Sequence, residues 1–180
     1  MHGYNGKDLA RSFRTVRANT IKIAEEIPED QYGFRVAEGT RSVAETLAHL
    51  ATGTAWAREM HGQRVPAVEF GLFMAAMQRA TAAAGALKTK AQIVDALRTE
   101  GDQFAAFLES YPDEALAERV KYPEGMQPPD KSRFEMLLSA KEHEMHHRGQ
   151  LMVIERMLGI VPHLTREMQA RMQQAQSQRA

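Results

Sequence analysis

One stripe of apolar residues at helical spacing, in the last third of the chain, is interrupted by polar residues at its centre. The stripe steps by three and four residues and reads Leu137, Ala140, Glu144, His147, Leu151, Ile154 and Leu158. Such a period predicts an amphipathic helix whose apolar face packs against other helices. A buried carboxylate or imidazole is unfavourable unless a partner satisfies it. The fold must therefore bring partner groups, or a cation, to the middle of this helix.

Histidines flank the polar centre of the stripe. His143 and His147 are four residues apart, so their Cβ atoms lie roughly 5 to 6 Å apart on one helix face. Both imidazoles can then bind one ion, whereas His146 points in another direction. The alternative is a pair of histidines that have hydrogen-bonded or solvated partners and bind no metal.

Three more segments show the helical period, and capping boxes or prolines mark their ends. A short helix near residues 70–84 and loops at 28–41 and 112–131 connect them, and no segment alternates as a strand does. The predicted helices are 7–27, ending before Pro28; 42–60, after a Ser42–Glu45 box; 89–111, after a Thr89–Gln92 box; and 132–159, capped by Asp130 or Ser132.

These elements predict an all-α protein, a four-helix bundle with its site between facing helices. We expect residues 1–162 to form the bundle. Residues 163–180 should form a tail that is either a surface helix or a frayed end.

Composition limits the partners and the possible metal ligands. The chain has no cysteine, so a metal would have to be bound by His, Asp or Glu. The 23 basic and 23 acidic residues cancel, which argues against nucleic acid and anionic membranes as partners. Neither an apolar signal region nor an apolar run of membrane-spanning length is present. We therefore expect a soluble, cytoplasmic protein.

A histidine in the second helix adds to the pattern. On its own, His49 would be interpreted as a packed core histidine. Together, Leu47-Ala48-His49-Leu50 and His143-x-x-x-His147-Arg148-Gly149-Gln150 resemble the DinB/YfiT-like superfamily of metal-binding bundles, over about residues 7–160. The resemblance implies a metal triad of His49, His143 and His147. It also implies a long crossover between helices two and three, and homodimers.

The resemblance leaves the reaction open, because similar proteins include transferases and isomerases that use low-molecular-weight thiols as well as hydrolases. Three histidines leave one coordination position open, as in catalytic zinc sites. We expect a divalent ion (zinc, nickel, iron or manganese) and a small-molecule substrate, with a low-molecular-weight thiol as one candidate. Glu144 is the candidate catalytic base, and its alternative role is to orient a ligand imidazole.

Two other classes of function remain as alternatives. One is a stress-related bundle whose metal only holds the helices together, although such a site normally has four protein ligands. The other is a metalloprotease, because residues 143–147 satisfy H-E-x-x-H. The protease is the less favoured of the two, because Val153 stands where a metzincin needs its third histidine and we predict no strand beside the motif. A di-iron site would need a second Glu-x-x-His motif on another helix.

Overall fold

Helices dominate the computed structural model, which describes residues 4–178. The all-α prediction is confirmed. The α-helices are α1 (Gly6–Glu26), α2 (Val43–Thr52), α3 (Ala55–Gly62), α4 (Phe70–Ala86), α5 (Lys90–Ser110), α6 (Arg133–Met157) and α7 (His163–Ser177); two 3₁₀ helices span Glu29–Gln31 and Asp113–Ala117. None of the helices in this part of the chain is both long and apolar enough to cross a membrane.

The bundle consists of α1, α2, α5 and α6. Both α1 and α2 pack against α5 and α6, so α1 and α2 occupy opposite corners. The long crossover between α2 and α5 contains α3 and α4, and α4 packs outside the bundle against α2 and α3. Because it covers the bundle from outside, α4 is mostly exposed, and Ala76 is its one fully buried residue.

Capping boxes fix where the bundle helices begin. The predicted boxes at Ser42 and Thr89 are confirmed, and Ser132, one of the two predicted caps, begins α6. In each box the cap side chain accepts a hydrogen bond from the backbone N–H three residues later, whose own side chain accepts one in return. Asn5 forms a fourth box with Asp8, which we did not predict.

The predicted second helix is two helices, α2 and α3, separated by a turn at Gly53 and Thr54. Glycine has low helix propensity because it loses the most backbone freedom on folding. In addition, the Leu50 carbonyl near the end of α2 accepts a hydrogen bond from Arg17 at 3.0 Å. The Arg17 guanidinium thus satisfies the Leu50 carbonyl, which in a continuous helix would accept a hydrogen bond from a backbone N–H four residues later.

The prediction that the chain lacks strands is wrong for the loop before α6. Two antiparallel strands, β1 (Arg119–Lys121) and β2 (Asp130–Ser132), pair there, with Val120 opposite Lys131. Val120 is fully buried against Met60 and Met136. Alternation over three residues is too short to detect in the sequence.

Within the predicted tail, His163–Ser177 form helix α7, and the last two residues lie outside the described part of the chain. Helix α7 contacts α1 through a Lys22–Glu167 ion pair at 2.9 Å, and His163 at its start is buried. The division of the chain at residue 162 stays a prediction.

An ion pair lies at the centre of the bundle, where all four helices meet. Arg17 of α1 and Glu144 of α6 are 4% and 1% exposed, and Arg17 Nε donates to both carboxylate oxygens at 2.9 and 3.0 Å. The two terminal nitrogens of Arg17 donate to the carbonyls of Leu97 in α5 and Leu50 in α2. A Cβ at Gly101 would lie 2.8 Å from Arg17 Cγ, so glycine leaves room for this side chain.

We predict that Arg17→Met, which nearly conserves volume, lowers the free energy of unfolding by about 3–5 kcal/mol, because it leaves Glu144 buried without a partner. Arg98→Met is the control, since Arg98 forms an exposed pair with Glu25 and such pairs contribute about 1 kcal/mol or less. Urea unfolding monitored by circular dichroism measures both.

Adding Glu144→Leu to Arg17→Met should recover much of the loss, because an apolar pair of similar volume needs no compensating charge. Equal losses for Arg17→Met and Arg98→Met would contradict the importance of the buried pair.

Candidate metal centre

Three imidazoles from two helices converge beside the buried ion pair. His49 is on α2, and His143 and His147 are one turn apart on α6. Nε2 of His143 lies 3.0 Å from Nε2 of His49 and 3.2 Å from Nε2 of His147. One ligand atom from each residue lies within 4.8 Å of the others. The three histidines of the predicted triad therefore meet at one point.

The residues next to the three histidines in sequence are hydrogen-bonded to Arg17 in the core, which places the rings beside the ion pair. His49 precedes Leu50, and Glu144 lies between His143 and His147. Leu50 and Glu144 are both hydrogen-bonded to Arg17. The ring centroids are 4.7 to 5.1 Å apart, and His147 is buried, His49 half-buried and His143 exposed. The cluster thus lies at the edge of the core, with one side open to solvent.

A glutamine sets the tautomer of His147. His147 Nδ1 lies 2.8 Å from Gln150 Oε1, an acceptor, so we assign the ring proton to Nδ1. The lone pair of His147 Nε2 then faces the other two rings. The Gln150 amide nitrogen lies 3.1 Å from His146 Nε2, to which it donates. Gln150 belongs to the His-Arg-Gly-Gln motif, but no pattern in the sequence indicates this role for it.

Partial burial keeps the cluster neutral. Desolvation, followed by the positive charge of Arg41 and the neighbouring imidazoles, lowers the pKa of His49 to about 4. Desolvation and the other imidazoles, with a smaller effect of Arg41, lower the pKa of His143 to about 4. Desolvation also lowers the pKa of His147, which the Gln150 hydrogen bond partly offsets. Neutral imidazoles are the form that binds metal.

The donor set fits a divalent ion. With metal–nitrogen bonds of about 2.0–2.1 Å, tetrahedral ligand atoms lie about 3.3 Å apart, close to the 3.0 and 3.2 Å seen here. Without a cation, His143 Nε2 has one proton at most and faces two other nitrogens. Because His147 Nε2 is unprotonated, at most one of these two close contacts can be a full hydrogen bond. A cation that accepted the lone pairs of all three nitrogens would satisfy both contacts.

Glu144 is not part of the cluster. Its carboxylate lies in the core against Arg17, on the stripe between the two histidines of α6. The apolar spacing correctly predicted that Glu144 lies on the buried face of α6, but we did not predict its partner. The sequence does contain an indication of that partner, because Arg17 follows Val16 within the apolar stripe of α1.

Two grooves are each lined by one histidine of the triad. The α6 groove, about 780 Å³, lies between the loop before α2 and the face of α6; its lining includes Thr40, Arg41, Thr46, His147, Gln150 and Met157. The α4 groove, about 490 Å³, lies between α2 and α4; its lining includes Arg41, Glu45, His49, Met77, Ala80 and Thr81. Both volumes suit a small organic molecule. Two smaller cavities beside α3 and α4 contain none of the triad.

We predict that His49 and His143 of EDTA-treated protein stay neutral down to about pH 5 and titrate near pH 4. In 8 M urea they should titrate near 6.5, the ordinary value, so the unfolded chain takes up these protons first. Their contribution to stability is therefore complete above pH 6.5 and is lost as the pH falls towards 4. The Cε1–H NMR resonances, assigned with His→Ala variants, measure both titrations; folded midpoints near 6.5 would contradict the prediction.

Comparison with known proteins identifies similar sequences and folds. Residues 12–151 match the family model described as the DinB superfamily. A search of curated proteins finds no match. Among solved structures, a DinB-like protein from Bacillus cereus is 17% identical, with a TM-score of 0.64, over 86% of this chain and 93% of that one. At this identity the likeness shows the fold alone.

Two further structures are similar at the same level. YfiT from Bacillus subtilis, described as a probable metal-dependent hydrolase with an unusual four-helix bundle topology, is 13% identical, with a TM-score of 0.65, over 89% of this chain and 91% of that one. The colibactin self-resistance protein ClbS, solved in complex with double-stranded DNA, is 14% identical, with a TM-score of 0.63, over 87% of this chain and 98% of that one.

Proposed function

Because the chain belongs to the DinB superfamily, we propose that it is a metal-dependent enzyme which binds a divalent ion through His49, His143 and His147. The convergence of three neutral imidazoles within 4.8 Å is the observation that carries the proposal. The description of YfiT as a probable metal-dependent hydrolase supports it at the level of the fold. The donor set suits zinc, nickel, iron or manganese.

The proposed reaction is a transfer or isomerisation that uses a low-molecular-weight thiol. Such an ion would act as a Lewis acid and lower the pKa of a bound thiol or water, so a carboxylate base is not required. The protein's own residues supply the rest. Gln150 holds His147 in the tautomer whose Nε2 can bind metal, and the two grooves provide space for two reactants.

Glu144 has a positioning role in this proposal. Its two oxygens accept from Arg17 Nε inside the core, and the residue is 1% exposed. A general base must reach the proton that it removes, and a carboxylate held there does not face either groove. This geometry also argues against the metalloprotease, which needs the same glutamate as its base.

Hydrolysis of a small molecule is the second candidate, favoured by the description of YfiT. A non-catalytic, stress-related bundle is less well supported, because three ligands at the edge of the core leave a coordination position towards solvent. The homodimer and the cytoplasmic location stay predictions. Exposed apolar residues at the start of α4, Phe70 and Leu72, are consistent with a partner surface.

We do not propose a nucleic-acid partner for this chain. ClbS was nevertheless solved in complex with double-stranded DNA, so the fold as such does not rule out DNA binding. Proteins bind the phosphate backbone through an excess of basic side chains. Here the formal net charge is zero. The absence of a DNA partner therefore stays a prediction for this chain.

We predict that His49→Ala, His143→Ala and His147→Ala each raise the Kd for Zn²⁺ or Co²⁺ at least tenfold, which corresponds to about 1.4 kcal/mol. His146→Ala and His61→Ala are the controls: His146 contacts Gln150 outside the cluster, and His61 is buried beside Arg133. Competition against a chromophoric chelator measures Kd. If His146→Ala abolished binding while His143→Ala left it intact, the ligand set would be wrong.

The class of reaction has its own test. We expect that glutathione, bacillithiol or mycothiol changes the visible spectrum of cobalt-substituted protein, because the thiolate would enter the open position, and that casein is not cleaved. A spectrum unmoved by all three thiols would favour the small-molecule hydrolase. Cleavage of casein that Glu144→Gln stops, in a variant that retains its helical circular dichroism, would favour the peptidase.

A further inference from the structure

Arg41 is the residue that the two grooves share. It lies one position before Ser42, the cap of α2, and lines both the α6 groove with His147 and the α4 groove with His49. Arg41 is therefore placed to contact a ligand in either groove, beside a histidine of the triad.

The guanidinium of Arg41 is available to a ligand. It is exposed, and it forms no hydrogen bond or ion pair with any residue between 4 and 178. Arg35, six residues earlier, shows the contrast, because its side chain pairs with Glu45 at 2.6 Å. Glu45, the carboxylate that lines the α4 groove beside Arg41, accepts from Arg35 and from the Ser42 backbone N–H.

The α6 groove is the side that favours an anion. Its lining contains no Asp or Glu within the described residues, whereas it contains Arg41, His146 and the hydroxyl residues Thr40 and Thr46. Apolar side chains, among them Val153 and Met157, form the rest of the wall. An arginine binds a carboxylate or phosphate through two parallel N–H···O bonds, which fixes orientation as well as charge.

We propose that Arg41 binds the carboxylate of an anionic thiol or substrate in the α6 groove, so that the other end of the molecule lies at the histidine triad. The inference rests on the proposed metal site and specifies its substrate class as a small molecule with an anionic group and an apolar or thiol-bearing body. A thiol that carries carboxylates, such as glutathione or bacillithiol, fits this class better than a neutral one.

The decisive experiment compares 3-mercaptopropionate with 3-mercapto-1-propanol, which has the same length but no charge. Each is titrated into cobalt-loaded protein at constant ionic strength, and the visible spectrum gives Kd. We expect the carboxylate to bind more tightly, and Arg41→Gln to reduce the ratio of the two Kd values at least tenfold. The preference that remains in Arg41→Gln measures chelation of the metal by the carboxylate itself.

Two variants control for charge and for general damage. Arg41→Lys should retain part of the preference because it keeps the charge but not the paired donors. Arg171→Gln removes an exposed charge on α7 and lines neither groove, so it should leave the ratio unchanged. A ratio that is the same in wild type and Arg41→Gln, with both proteins binding cobalt, would overturn the anion site and leave the metal site intact.

A metal-independent arm separates the two proposals. Propionate and 1-propanol are titrated into EDTA-treated protein, and the amide NMR shifts of residues that line the α6 groove are followed. We expect saturable shifts with propionate that Arg41→Gln removes. If cobalt does not bind, the proposed function fails, and this arm still decides the anion site: no shifts with propionate, or equal shifts with the two ligands, would overturn it.

Discussion

The hydrogen bonds of Arg17 hold the four bundle helices at one point, and the geometry of the histidine triad depends on them. Arg17 extends from α1 to Glu144 on α6, Leu97 on α5 and Leu50 on α2. Two of these partners adjoin the triad in sequence, since Leu50 follows His49 and Glu144 lies between His143 and His147. A shift of α2 relative to α6 that separated the imidazoles would therefore also strain a buried charged hydrogen bond.

The sequence predicted the parts of this arrangement that are local. Apolar spacing predicted all four bundle helices, and capping side chains predicted where three of them begin. The sequence also predicted the pair His143 and His147, because the helical repeat alone places residues four apart on one face. His49 is different: nothing local distinguishes it from a packed histidine, and only the family resemblance joined it to the other two.

The missed features depend on contacts distant in sequence. Arg17 and Glu144 are separated by 127 residues, so no local pattern pairs them, although each lies within an apolar stripe. At the break between α2 and α3, Gly53 is visible in the sequence, whereas the Arg17 hydrogen bond to Leu50 is not. The β1–β2 pair places Val120 against Met60 of α3 and Met136 of α6, which are distant from it in sequence or on another element. Arg41 had no signal in the sequence, since its importance comes from the two grooves that it lines.

The position of the triad relative to the core bears on what a metal would do. Buried apolar clusters and the Arg17–Glu144 pair already join the bundle helices, so an ion is not needed to hold them together. A structural metal normally replaces a missing core and has four protein ligands. Here the three histidines lie at the edge of the core, with His143 exposed and two grooves lined by His147 and His49. In the proposed metal site, folding would not consume the free energy of metal binding, and the fourth coordination position would face solvent.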